Sequence, residues 1–261
     1  MFYNAIQMRM AIDNLIDRVK SPRFTDSRYY DAINQAQKKV LDDRTENIKR
    51  QRSFGVQTSQ RLRNELSTLI RRATGAPAGS FIPYPTQYYY LLSIENTVDG
   101  ITNACRPVTY NEQGLINRNP FRRPKSDKTY FNDSLTGWTI LLPTGGNFTQ
   151  YNMFYIATPV VVTIGQESNK ITGPGTLVIG QTYYVYDEAV HNGITYIDGA
   201  TFVAVNTILT SGTVINSSFV IDSDMPSQLH EEIIRLSAAI MDGTVDEYEK
   251  ENNLKQTNEE S

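Results

Sequence analysis

The sequence predicts an α+β fold: a helical bundle, made of N-terminal helices and a returning C-terminal helix, with an inserted β-hairpin and a small all-β module. Three observations predict it. Apolar residues recur at helical spacing up to about Ala73, the spacing shifts to short extended runs from Ser80, and a doubly apolar helix closes the pattern at Met225 to Gly243.

In chain order, Phe2, Ile6, Met10 or Ala5, then Ile12, Leu15, Ile16 and Val19 give the first helix, within residues 1 to 20, and Ser21-Pro22 ends it. Asp26 or Ser27 caps a second, carried by Tyr29, Tyr30, Ile33, Ala36 and Val40. The run Asp42 to Arg52 is apolar-poor and reads as an exposed continuation or an elbow. Leu62, Leu66, Leu69 and Ile70 predict a third helix over Thr58 to Ala73. Then come extended runs at Phe81 to Pro83 and Tyr88 to Ile94. Trp138 to Pro143 and Phe148 to Thr158 follow, read as the two arms of a hairpin. Residues 160–222 form short β-like runs with little charge, turning at Asn192-Gly193, Asp198-Gly199 and Ser211-Gly212.

The last helix starts at Pro226, with Asp224 or Ser227 as cap, and stops at Gly243. Leu229, Ile233, Leu236 and Ile240 make one stripe; Ile234, Ala238 and Met241 make another. Only Glu231, Arg235 and Asp242 occupy a wet side. An apolar arc this wide exceeds what one surface-facing helix needs. The predicted domains are therefore 1–159, a helical body with a β-region completed by 223–243, the insert 160–222, and an acidic, polar tail 244–261.

The chain's 25 basic and 28 acidic residues nearly balance over 261 positions, so any basic function must be local. The single cysteine, Cys105, excludes an internal disulfide framework. No leader pattern and no run of about 18 apolar residues appear, so the expectation is a soluble, assembly-bound or cytosolic protein. Candidate chemistry is sparse. His230-Glu231-Glu232 lacks the second histidine a zinc-binding helix requires. His230 falls inside the apolar arc and reads as a hydrogen-bonded core or interface residue, while His191 reads as turn chemistry. No phosphate loop or nucleophile elbow is present, and the expectation is a non-enzyme without metal or cofactor.

Two basic clusters stand out. Arg44, Lys49, Arg50, Arg52, Arg61, Arg63, Arg71 and Arg72 face only Glu46 and Glu65 in the same window. Arg118, Arg122, Arg123, Lys125 and Lys128 surround Phe121 in a proline-bearing loop. Either cluster is a candidate contact for a DNA backbone or an acidic partner, against the ordinary alternative of a solvated face.

The segments FTDSRYYDAINQAQKKVLDDR, LRNELSTLIRRAT and FIPYPTQYYYLLSI appear in that order. PTGGNFTQYNMFYIATPVVVTIG, TYYVYDEAVHNGITYIDGATF and DSDMPSQLHEEIIRLSAAIMDGTVDEYEKENN then follow. Together they resemble the ring or head-to-tail adaptor proteins of crAss-like tailed bacteriophages. The resemblance implies a homo-oligomeric ring, twelve-fold on a portal, in the connector below the capsid, with double-stranded DNA passing through its lumen. Its implied partners are further copies, the portal protein and other tail proteins. Its implied place is the virion after synthesis in the host cytoplasm, and no membrane is involved. In such a ring Ile234, Ala238 and Met241 would meet the neighbouring subunit, so Ile234→Asp would impair assembly more than folding. The alternative is an adhesion or carbohydrate-binding module on a helical stalk, with Tyr183, Tyr184, Tyr186 and Tyr196 stacking on sugars.

Overall fold

A computed structural model describes residues 3–16, 24–51, 64–164 and 170–243. The chain is an α+β fold in which N- and C-terminal helices flank a β-region of several sheets, larger than a hairpin and one small module. It divides into two compact units, Met1–Thr68 with Pro159–Ser261, and Leu69–Thr158. Contacts thus cut the chain elsewhere than composition does: 69–158 stands by itself, and 160–222 groups with the helices.

In the first unit, α1 (Ala5–Leu15) opens with a reciprocal capping box. The Asn4 side chain accepts from the Gln7 amide at 2.8 Å, and Gln7 accepts from the Asn4 amide at 3.1 Å. The helix α2 (Asp26–Gln51) continues without a break through the stretch that reads as a continuation or elbow. The closing helix α4 (His230–Asp242) packs on α2 and α1. It begins later than the proline suggests, because Ser227–Leu229 form a 3-10 turn. Neither Asp224 nor Ser227 caps it. The Asp224 carboxylate instead accepts the Val160 amide at 2.9 Å. Gly243 ends the helix in the left-handed region, as its sequence position predicts.

The insert is a six-stranded antiparallel sheet. Its central pair is β12 (Thr182–His191) and β15 (Ile208–Asn216). Outside them lie β10 (Lys170–Thr172), β11 (Gly175–Thr176), β13 (Ile194–Tyr196) and β14 (Thr201–Val203). Asn192 and Gly193 both take positive φ, 51° and 76°, and join β12 to β13 in the tight turn expected of them. Ser211-Gly212, read as a turn, lies inside β15. Gly212 at φ 86° forms an irregularity opposite β12, where a side-chain carbon would stand 2.1 Å from the Glu188 carbonyl. At the base, β9 (Thr163–Ile164) pairs with β16 (Val220–Ile221).

The second unit holds two four-stranded sheets. One has the order β1 (Ile70–Gly75), β8 (Phe148–Ala157), β3 (Tyr88–Val98), β4 (Ile101–Ala104). The other runs β2 (Phe81–Pro83), β7 (Gly137–Leu141), β6 (Tyr130–Asp133), β5 (Arg106–Pro107). Both contribute to one core of Ile82, Ile94, Phe131, Trp138, Ile140, Met153 and Tyr155. The helix α3 (Tyr110–Arg118) covers the second sheet through Ile116 against Tyr130 and Leu141.

Two expectations fail in this unit. Residues 70–73 are strand rather than helix, because Ile70 to Gly75 pair with Tyr151 to Ile156 and that ladder outweighs local helix preference. Residues 58–63 lie outside the described residues. The arms read as a hairpin also belong to different sheets. β7 pairs with β2 and β6, and β8 with β1 and β3, so the Pro143 to Gly146 turn passes the chain from one sheet to the other.

Candidate interaction surfaces

The most heavily built polar feature joins the insert to the helices. Asp26, at the first turn of α2, is bonded to Lys170 Nζ at 2.7 Å, to Arg9 Nε at 3.1 Å, and accepts the Tyr186 hydroxyl. The Lys170 ammonium and Arg9 guanidinium also lie over the Tyr186 ring, at 3.5 and 4.6 Å from its centre. Burial opposes ionisation of Asp26, but the bonds from Lys170 and Tyr186 and the charge of Arg9 outweigh it, and its pKa lies below the usual value. Burial first, and the Asp26 carboxylate second, push the Tyr186 hydroxyl strongly upward, so it remains a donor. Asp222 adds a second tie, accepting the Ala5 amide at 2.7 Å and the Tyr184 hydroxyl at 2.8 Å. Sequence reading missed this junction. Its members lie far apart in the chain, and the one available signal was Lys170, the sole cation of residues 160–222.

Both histidines are core residues. His230 is fully buried, takes the Tyr3 amide on Nδ1 at 3.1 Å and so donates Nε2–H to the Met225 carbonyl at 2.9 Å. Desolvation lowers its pKa. His191 is not turn chemistry: it accepts the Val205 amide on Nε2 and donates Nδ1–H to the Ile208 carbonyl, stacked against Phe202. Cys105 is buried beside Thr129, and burial raises its thiol to about 11. Among the described residues no cluster of three His, Cys, Asp or Glu could hold a metal. No described helix is long and apolar enough to cross a membrane.

The second stripe of α4 is covered by its own chain. Ile234, Ala238 and Met241 are all at most 9 % exposed, as are Leu229, Ile233 and Leu236. Glu231, Arg235 and Asp242 are exposed, where the spacing puts them. Only Ile240, in the first stripe, stays half-buried, so the second stripe needs no neighbouring subunit to cover it.

The first basic cluster does not stay together. Arg44 is pinned in the first unit between Glu232 at 2.7 Å and Glu65 at 3.4 Å, where it ties α2 to α4. Lys49 and Arg50 lie on α2, and Arg52, Arg61 and Arg63 lie outside the described residues. Arg71 and Arg72 are exposed on β1 of the second unit, Arg72 donating to Asn152 at 3.1 Å. The second cluster does stay together. Arg118, Arg122, Arg123 and Lys125 are exposed on the end of α3 and the loop after it. Phe121 between them is 85 % exposed.

The insert carries an apolar face of its own. Val178, Ile179, Val203, Val205 and Ile208 are each more than half exposed. The backbone holds their two stretches side by side, with Leu177 bonded to Thr207 and Gly180 to Ala204. There is no charged residue from Ile171 to Tyr186 or from Gly199 to Ile221. The tyrosines proposed to stack on sugars are not displayed: Tyr183 and Tyr186 are buried, and Tyr184 and Tyr196 are half-buried, with Tyr196 stacked on Phe202.

Comparison with protein-family models and with curated proteins finds no match to this chain.

Proposed function

We propose that this chain is a structural virion protein that forms a homo-oligomeric ring in the connector between portal and tail, surrounding the DNA channel. The ordered resemblance of its segments to phage ring and adaptor proteins motivates the reading. The observation that carries it is the apolar face of the insert, Val178, Ile179, Val203, Val205 and Ile208, without a charged side chain among them. Contiguous exposed apolar patches larger than a few hundred Å² mark interaction sites on folded proteins. On this reading the face meets another tail protein, while further copies and the portal protein complete the assembly. DNA passes through the lumen without sequence readout.

A reconstruction of the phage portal vertex tests it. The expected result is this chain traced as a ring with the insert's apolar face covered by a neighbour. A vertex without this chain sinks the reading.

A further inference from the structure

We infer that residues 244–261 of one copy dock onto the basic face of α3 and its following loop in the second unit of a neighbouring copy. The inference rests on the ring reading and names the contact between its subunits.

The receiving surface is built rather than incidental. Arg118, Arg122, Arg123 and Lys125 fall within the eight residues 118–125, which contain no carboxylate. None of these four makes an ion pair with a described residue. Bonds from Thr109 lower the pKa of Glu112 most, and the charge of Arg122 helps only at longer range. Asn119 holds the loop in shape: its amide donates to Leu115 at 3.1 Å and its side chain accepts the Phe121 amide at 2.9 Å. Its carbonyl accepts the Arg122 and Arg123 amides, both at 3.0 Å. Lys125 and Lys128 exchange two bonds of 2.9 Å, and Asn103 donates to the Ser126 carbonyl behind them. The tip is therefore ordered before a partner arrives, which lowers the entropic cost of binding.

Its chemistry selects the partner. Large apolar groups are exposed on the same helix and loop: Phe121 within the run of cations at 85 %, and Tyr110 and Leu115 on α3 at 65 % and 64 %. A phosphate backbone would answer the charges but leave these rings and branches without apolar contacts. An acidic protein segment with spaced apolar residues answers both, and arginine with aromatics is the composition of interface hot spots. Residues 244–261 have that character. They contain Asp246, Glu247, Glu249, Glu251, Glu259 and Glu260 against Lys250 and Lys255, with Val245, Tyr248 and Leu254 between. That is six acidic against two basic residues, a net charge of −4. Residues 106–128 hold six basic residues against Glu112 and Asp127, a net charge of +4. In a ring, each copy would give one such segment and receive one, so the contact closes head to tail.

Sedimentation velocity of the full-length chain at low and high salt tests this. Two charge reversals are compared: Arg118→Glu with Arg122→Glu and Arg123→Glu, and Glu247→Lys with Glu249→Lys and Glu251→Lys. The wild-type chain is expected to self-associate, and to do so about tenfold more weakly at high salt, where exposed pairs are screened. Each reversal should weaken association by about tenfold or more, and both together in one chain should restore most of it. All positions substituted on the loop are exposed, and circular dichroism confirms folding.

A chain that stays monomeric at every concentration overturns the inference, as does a reversal without effect or a combination that fails to rescue. If the loop reversal abolishes binding to duplex DNA while the tail reversal leaves association unchanged, the surface is a nucleic-acid site instead. None of these outcomes touches the vertex reconstruction, which tests the ring reading by itself.

Discussion

At the scale of single residues, the decisive groups are those held in one protonation state. His230 is neutral in the fold because its ring sits between a backbone donor and a backbone acceptor in a dry site. Its pKa is lowered from 6.5, so the unfolded chain takes the proton first. Stability from this group is complete above that pH and drains as the pH falls through it, stopping once the folded form protonates too. The melting temperature should therefore fall between about pH 7.5 and 5.5, and His230→Gln, which keeps one donor and one acceptor, should flatten that slope. Asp26→Asn removes the carboxylate that Arg9 and Lys170 share. With these groups mostly but not fully buried, the cost should be about 1–3 kcal/mol, read from the urea midpoint. His230 was legible as a core residue because helical spacing places it inside an apolar arc. His191 was not, because its Asn-Gly neighbours advertise a turn while its side chain points into the core packed against Phe202.

At the scale of elements, local signals were legible and long-range partners were not. The end of α4 at Gly243 and the tight turn at Asn192-Gly193 depend on a few adjacent residues, and the sequence shows both. The strand at Ile70–Gly75 depends on β8, some eighty residues later, and nothing in Leu69-Ile70-Arg71-Arg72 announces it. The same limit explains α4. Two apolar stripes were legible, but not that α1 and α2 between them leave so little of either exposed. Ile234→Asp and Leu236→Asp should therefore both unfold the subunit, each burying a carboxylate at a cost of several kcal/mol. Arg235→Asp, on the wet side, should stay within about 0.5 kcal/mol, and thermal melts with soluble yield separate the two groups. In β15, Gly212→Ala combines a positive φ with a clash against the Glu188 carbonyl and should cost about 1–3 kcal/mol in the same melts.

At the scale of the molecule, the insert leaves and rejoins the helices through β9 and β16, which lie side by side. On backbone geometry alone it resembles an interchangeable cartridge, removable by joining two neighbouring ends. The polar junction forbids that. Excising residues 165–219 takes Lys170 and Tyr186 away from Asp26 and uncovers Ile6, which packs on Tyr186 and Ile215. Such a deletion should lower the stability of the remaining helices, measured by urea unfolding, rather than leave them intact. The smallest portable fragment is therefore discontinuous: the insert together with α1 and the first turn of α2. A lineage exchanging this β-sheet between proteins has to move its chemical counterpart with it. Arg9, Asp26 and Lys170 should then change together even where the rest of the surface drifts.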